Sequence, residues 1–298
     1  MRSLKVPVYV YAVTAMLLWG MSFIWSSILL VQYKPVSVIF CRLILSTLFL
    51  FLLKKIFKVR EKIGREDILL LFLSALFIPF LYFLGENYGL KYSTSTITSV
   101  VISTIPLFSP VFGWFFLKEK LSLLNIGGIF VSFFGIILML VTRDFSLAVN
   151  PIGILSLFGA VFSALIYSVL LKRLTSRYTP LTLIFYQNFI GIFLFLPLFL
   201  FLDLSSFIKV VPDGRMIISF LCLSILASSL SFVFYAKTMK EIGISKANIF
   251  SNLIPVFTAI FSYLILSEVF TFQKIAGIFI VVGGVFITTW YKKQPEFS

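Results

Sequence analysis

The sequence predicts an all-α integral membrane fold, ten transmembrane helices arranged as two inverted five-helix repeats. Three observations carry this expectation. The chain divides into ten long apolar stretches, basic residues gather on alternate connections, and the second half resembles the first when the chain is shifted by 149 residues. With 60% of its 298 residues hydrophobic and 12% charged, and a mean hydropathy of +1.09, lipid is the solvent that most side chains must suit.

Breaks at polar or Pro/Gly-containing connections place the spans near 7–31, 36–57, 67–88, 93–117, 121–142, 150–173, 180–203, 214–238, 243–267 and 271–291. Each is close to the roughly 20 apolar residues that an α-helix needs to cross about 30 Å of hydrocarbon. Transmembrane strands would alternate in segments of about ten residues. In hydrocarbon a helix satisfies its own backbone, so helices are the economical reading. The first stretch follows Arg2 and Lys5 but runs on to Val31 without a small-residue cleavage site, and is expected to stay as an uncleaved span.

The net charge of +14 does not point to nucleic acid, because the basic residues sit in short connections between apolar runs. One set of alternate connections holds eighteen Lys and Arg, among them Lys54, Lys55, Lys58, Arg60, Lys62 and Arg65, and the other set holds six. The positive-inside rule then places both termini in the cytoplasm of a multi-pass cell-membrane protein. Histidine is absent, which removes imidazole bases and ligands, and no cofactor or metal is expected. Cys41 and Cys222 lie in separate apolar runs without CxxC spacing and read as buried small apolar residues.

The shift of 149 sets Ile105-Pro106-Leu107-Phe108 on Ile254-Pro255-Val256-Phe257, Glu119 on Glu268, Gly128-Ile129-Phe130 on Gly277-Ile278-Phe279 and Gly135 on Gly284. The chain therefore divides into repeats at 1–145 and 146–298. Five spans each is an odd number, so the second repeat enters the membrane from the opposite side. Two such bundles about a pseudo-two-fold axis in the membrane plane can rock between inward-open and outward-open forms, which is the mechanics of transport.

Trp19-Gly20-Met21-Ser22-Phe23 in the first span, Pro35 followed by Cys41-Arg42 in the second, Leu90-Lys91-Tyr92-Ser93 before the fourth and the doubled Pro…Leu-x-Glu pattern together resemble the ten-helix EamA family of the drug/metabolite transporter superfamily. The resemblance covers the whole chain. It implies a permease, often an exporter of amino acids or related metabolites, with a central cavity lined mainly by the first four helices of each repeat. The smaller multidrug members of that superfamily keep a carboxylate in span one. This chain has none there, which departs from proton-coupled extrusion of lipophilic cations.

Intramembrane charges are the first candidates for function, because an ionised group in hydrocarbon must be paired or face water. Arg42 lies seven residues beyond Pro35, and Glu86 lies near the end of span three at similar depth. Two readings fit them: a salt bridge that ties two helices, or a site in which the planar guanidinium fork receives a solute's anionic group. Aligning Pro35 with Pro180 puts Gln187 opposite Arg42, and the shift of 149 puts Tyr235 opposite Glu86, a neutral pair that makes the cavity electrically asymmetric. Asn248 and Asn252 share a face of span nine, and with Asn188 and Ser22 they offer neutral donors and acceptors either to neighbouring helices or to a solute. Trp19, Trp25 and Tyr88 are candidates for an apolar wall. Pro106 and Pro255 each remove a backbone donor and kink a span.

Glu119 and Glu268 close spans four and nine and read as turn architecture, with Ser122 and Thr271 as N-caps of the helices that follow. Ser228, Ser229 and Ser231 read as close-packing positions. Gly127, Gly128 and Gly135 with Gly277, Gly283 and Gly284 permit close helix approach, within the chain or in a homodimer through spans five and ten. The partners expected are a small-molecule solute and membrane lipid. An intramembrane enzyme on lipid-linked substrates would need a nucleophile, a base or an acidic metal cluster, none of which the sequence offers. A channel would normally need a ring of like groups from several subunits. No nucleotide-binding motif is present, so movement would follow a gradient.

Overall fold

The computed structural model describes residues 7–108, 111, 123–140, 149–243, 247 and 250–290. Among the described residues there is helix and no strand. Among the described residues seven helices are long and apolar enough to cross a membrane: α1 (Val8–Leu30), α2 (Pro35–Ile56), α3 (Arg65–Lys91), α5 (Leu123–Leu140), α6 (Pro151–Thr175), α7 (Pro180–Phe207) and α8 (Gly214–Ile242). Three shorter apolar helices are α4 (Ser95–Phe108), α9 (Phe250–Leu266) and α10 (Phe272–Ile287). Each falls within a few residues of an expected span; the remainder of the fourth and parts of the fifth and ninth lie outside the described residues.

Local chemistry explains where the helices begin. Pro35, Pro151 and Pro180 occupy the first turns of α2, α6 and α7, where a missing N–H costs nothing and the fixed φ is already helical. Thr94, Asn150 and Asp213 accept from the backbone N–H groups of Ile97 (3.3 Å), Ile152 (2.9 Å) and Met216 (2.7 Å) as N-caps of α4, α6 and α8. Thr271 likewise accepts from the Lys274 N–H at 3.2 Å to start α10, as expected.

The helices are interrupted where proline or crowded serine demands it. In α3, Pro79 follows Ile78 in extended backbone (φ −134°, ψ 120°), because proline can neither donate to the preceding turn nor leave the residue before it helical. In α4 the helix opens into a turn at Ser103 and Thr104 just ahead of Pro106, and α9 begins as a tight turn over Phe250–Asn252 ahead of Pro255. Residues Cys222–Ser231 of α8 form a widened π-helix, and the hydroxyls of Ser228, Ser229 and Ser231 each donate to the carbonyl five residues back. Such widened turns recur at functional sites.

The principal helix pairs join the first five helices to the last five: α5 with α10, α3 with α6, α1 with α8 and α9, and α2 with α7 and α8. The α5–α10 pair depends on missing side chains. A Cβ on Gly135 would sit 2.9 Å from the Gly277 carbonyl oxygen, and one on Gly284 would sit 2.7 Å from that of Gly128. The contact is reciprocal in the way of an isologous interface: positions 135 and 284, one shift of 149 apart, meet 277 and 128, also one shift apart. Ser132 adds a hydrogen bond of 3.1 Å to the Val281 carbonyl. Of the six glycines read as a close-approach surface, Gly128, Gly135, Gly277 and Gly284 are taken up inside the chain, whereas Gly127 and Gly283 face open space.

The outer surface is apolar. Phe201 is 87% exposed, and Phe130, Phe134, Phe193 and Phe279 are also exposed, an arrangement stable only against lipid tails. Cys41 and Cys222 are partly exposed, a correction to the expectation of burial. They share helix stripes with Ile44 and Leu48 and with Ile218 and Leu221, all of which face outward.

Candidate functional site

The central feature is a cavity lined from both halves of the chain. Trp19, Ser22 and Phe23 come from α1, Arg42 from α2, and Tyr82, Phe83 and Glu86 from α3. Pro106 of α4, Tyr167 and Ser168 of α6, Phe232 and Tyr235 of α8, and Ser251 of α9 complete the wall. Aromatic rings dominate it. Trp19 meets the rings of Phe232 and Tyr235 with centroids 5.0 Å away in both cases, within the range of favourable edge-to-face contact.

Among the described residues the only charged side chains in the wall are Arg42 and Glu86. Arg42 is 2% exposed and Glu86 7%, and Arg42 Nη1 lies 3.6 Å from Glu86 Oε2, a looser approach than a direct charge-assisted hydrogen bond. Arg42 is held from two other directions. Its Nε donates to Ser228 Oγ at 2.8 Å, and its guanidinium carbon lies 3.9 Å from the centre of the Phe83 ring, in cation–π range. Nη1 is buried without a hydrogen-bond partner. The Tyr82 hydroxyl donates to Glu86 Oε1 at 3.2 Å. Tyr82 stands one turn before Glu86 on the same face, an i, i+4 relation that was legible in the sequence.

Several expected site residues stand behind this wall. Gln187 does not line the cavity; its Oε1 accepts from the Tyr167 hydroxyl at 3.2 Å, and its Nε2 donates to Ser74 at 2.9 Å. It therefore orients Tyr167 from the second layer. Asn188 donates to Ser46 Oγ at 2.7 Å and to the Ser228 carbonyl at 3.3 Å, which ties α7 to α2 and α8. Tyr88 and Trp25 pack into the apolar core outside the cavity. Pro255 is buried beside the lining residue Ile254. Asn252 is 8% exposed with neither amide atom partnered, and Asn248 lies outside the described residues.

Two assignments are corrected. Ser228 and Ser229 do more than fill space: the first holds Arg42, and the second pairs with Ser46 at 2.6 Å. Glu268 reaches beyond its turn. It accepts from Thr96 of α4 at 2.9 Å and from Ser262, and meets Lys274 at 3.2 Å. Glu119, its counterpart, lies outside the described residues.

The helices that carry Arg42 and Gln187 are clamped at both ends. Asp203 at the end of α7 accepts from the Ser37 N–H (2.8 Å) and hydroxyl (3.1 Å) in the first turn of α2. Glu61, beyond the end of α2, accepts from the Thr179 N–H (2.9 Å) and hydroxyl (2.6 Å) at the start of α7. An acid at a helix N-terminus also meets the positive end of the helix dipole. Burial raises the Glu61 pKa, but the Thr179 bonds outweigh it and hold the carboxyl below its ordinary value. Asp67 and Arg177 add a pair of 2.9 Å at the same end. No cluster of metal-ligating side chains occurs among the described residues.

A bundle of apolar helices around an aromatic cavity with one buried charge pair defines a multi-pass membrane protein that handles a small molecule. The chain belongs to the EamA-like transporter family, which it matches twice, over residues 6–141 and 151–290. It is similar to the uncharacterized transporter YetK of Bacillus subtilis, 28% identical over 85% of this chain and 78% of that one. An uncharacterized transporter of Archaeoglobus fulgidus is 27% identical over 90% and 94% of the two chains, and one of Methanothermobacter thermautotrophicus is 27% identical over 96% and 87%. A crystal structure superposes with a TM-score of 0.68 over 96% of this chain and 99% of that one at 15% identity, a likeness of fold alone. The protein is a membrane transporter.

Proposed function

We propose that this transporter is a secondary permease that exports small polar metabolites such as amino acids across the cell membrane by alternating access. The observation that carries this reading is the buried Arg42–Glu86 pair on the wall of a cavity shared by both halves of the chain. A guanidinium with an unfilled donor and a neighbouring carboxylate suit the two charges of a zwitterion, and the aromatic wall suits its body. Arg42, Glu86, Trp19, Ser22 and Tyr235 contact the solute in this reading. Gln187, Asn188 and Asn252 hold or extend the site, Tyr88 packs behind it, and the breaks ahead of Pro106 and Pro255 let the wall move.

Ten spans form two inverted repeats, 1–145 and 146–298, with both termini cytoplasmic. The two family matches, the reciprocal α5–α10 contact and the eighteen-to-six bias of basic residues support that layout. A homodimer through α5 and α10 would use the faces opposite their shared glycine contact.

The test compares metabolites in the medium of cells that make the wild-type protein, Arg42→Gln, Trp19→Ala or no transporter, by untargeted mass spectrometry. A compound enriched outside only with wild type names the substrate class. Equal profiles in all four would refute export.

A further inference from the structure

Arg42 is fixed without Glu86, whereas Glu86 is fixed without Arg42 only through Tyr82. Ser228 holds Nε, and the Phe83 ring supports the guanidinium plane. The Nη1–Oε2 approach of 3.6 Å leaves Nη1 without a hydrogen bond although it is buried. A buried cation so held keeps its place when its acid lets go, and the side chain that carries the unpartnered donor lines the same cavity as Glu86. The site is thus built to exchange one carboxylate for another.

Charge balance then decides what else must move. Among its described residues the cavity wall contains one cation and one anion, and its remaining titratable groups are the phenols Tyr82 on α3, Tyr167 on α6 and Tyr235 on α8, which are neutral. Among the described residues Arg42 on α2 is the one charge that faces Glu86 from another element; the described residues that α1, α4 and α9 contribute are apolar or hydroxylic. A solute with both a carboxylate and an ammonium leaves the site neutral, its carboxylate on Arg42 and its ammonium on Glu86. A solute that is only an anion leaves a net negative charge in a water-poor interior, which is strongly opposed. The repeat supplies no second acid, because Tyr235 and Gln187 stand in the matching positions.

We propose that Glu86 is an exchangeable counterion: a monoanionic carboxylate solute takes its place on Arg42, and Glu86 then binds one proton from solvent, so that anion and proton move together while zwitterions move without one. In the step an O–H bond of a solvent hydronium ion breaks and leaves water, an O–H bond forms on the Glu86 carboxylate, and the acid keeps its contact with Tyr82. This deepens the transport reading and rests on it for movement, though binding and proton uptake can be read without flux.

The experiment uses the purified full-length protein in weakly buffered detergent with a pH-indicator dye. Its probes are phenylacetate and phenylglycine, which differ in one ammonium group and carry a ring for the aromatic wall. Saturation with phenylacetate is expected to take up about one proton per bound molecule, and saturation with phenylglycine none. Glu86→Gln is expected to bind phenylacetate without uptake, and Glu86→Asp to restore it. Should Glu86→Gln fail to fold, the two-probe comparison on wild type still decides. Phenylacetate bound without proton uptake, equal uptake with both probes, uptake that persists in Glu86→Gln, or failure of both probes to bind would each overturn the proposal. Flux of both probes into proteoliposomes with no proton movement would refute the counterion exchange and leave transport standing. Proton uptake on binding with no flux would do the reverse.

Discussion

Removing Arg42 alone should damage this protein more than removing Arg42 and Glu86 together. Arg42→Gln breaks the bond to Ser228 and the contact with Phe83, and leaves the Glu86 carboxylate buried with only the Tyr82 hydroxyl for company. Breaking a buried pair from one side costs about 3–5 kcal/mol, most of it the penalty of the orphaned charge. Glu86→Gln leaves Arg42 with Ser228 and Phe83, so its cost should be smaller, about 2 kcal/mol. In the double variant neither charge is left alone, and its cost should fall short of the sum by about 2–3 kcal/mol. The assay is a double-mutant cycle on reversible unfolding in mixed micelles, with folded fractions followed by tryptophan fluorescence. Additivity within about 0.5 kcal/mol would refute the reasoning, since it would mean that the two charges do not sense one another across 3.6 Å.

Further outcomes follow from the same structure. Gly277→Val would press a side chain on Met139 and the Gly135 carbonyl; a loss of about 1–3 kcal/mol is expected in thermal unfolding, and unchanged stability would show that α5 and α10 do not pack this way. Asp203→Asn weakens the cap on Ser37 and should cost about 1 kcal/mol, read as faster amide exchange in the first turn of α2. For Glu61 the folded carboxyl lies below its ordinary value, so its contribution is present above the ordinary glutamate range and lost as pH falls through the folded value. The gap in unfolding temperature between wild type and Glu61→Gln should close on acidification, from a stability difference of no more than about 0.5 kcal/mol because the group is largely solvated; a gap that widens in acid reverses the sign and refutes the assignment. Gln187→Ala frees Tyr167 without touching the cavity wall, and should weaken solute affinity several-fold in a binding titration while leaving the fold intact.

The solvent, the helices and the charges worth noticing could all be read from the order of residues alone. Apolar runs of fixed length, proline at first turns and Ser/Thr/Asn/Asp caps are local signals, each readable within about one helical turn. Arg42 and Glu86 stood out because a charge in an apolar run is expensive wherever the run ends up. The shift of 149 even paired Gly135 with Gly284 and Gly128 with Gly277, the four positions that meet at the α5–α10 crossing. Which side of a helix sees the cavity came from the packing of the folded chain. Gln187 aligns with Arg42 by repeat yet sits behind Tyr167, and Tyr88 lies two residues from Glu86 yet points into packing. Neither Tyr167 nor Phe232 carried a sequence signal, because every face of a membrane helix is apolar and the hydrophobic pattern that separates core from surface in water is lost. Ser228 read as a small packing residue until the widened turn of α8 set its hydroxyl 2.8 Å from the guanidinium. Such pairings join residues far apart in the chain, and they depend on helix rotation and depth, which the packing of neighbouring helices sets.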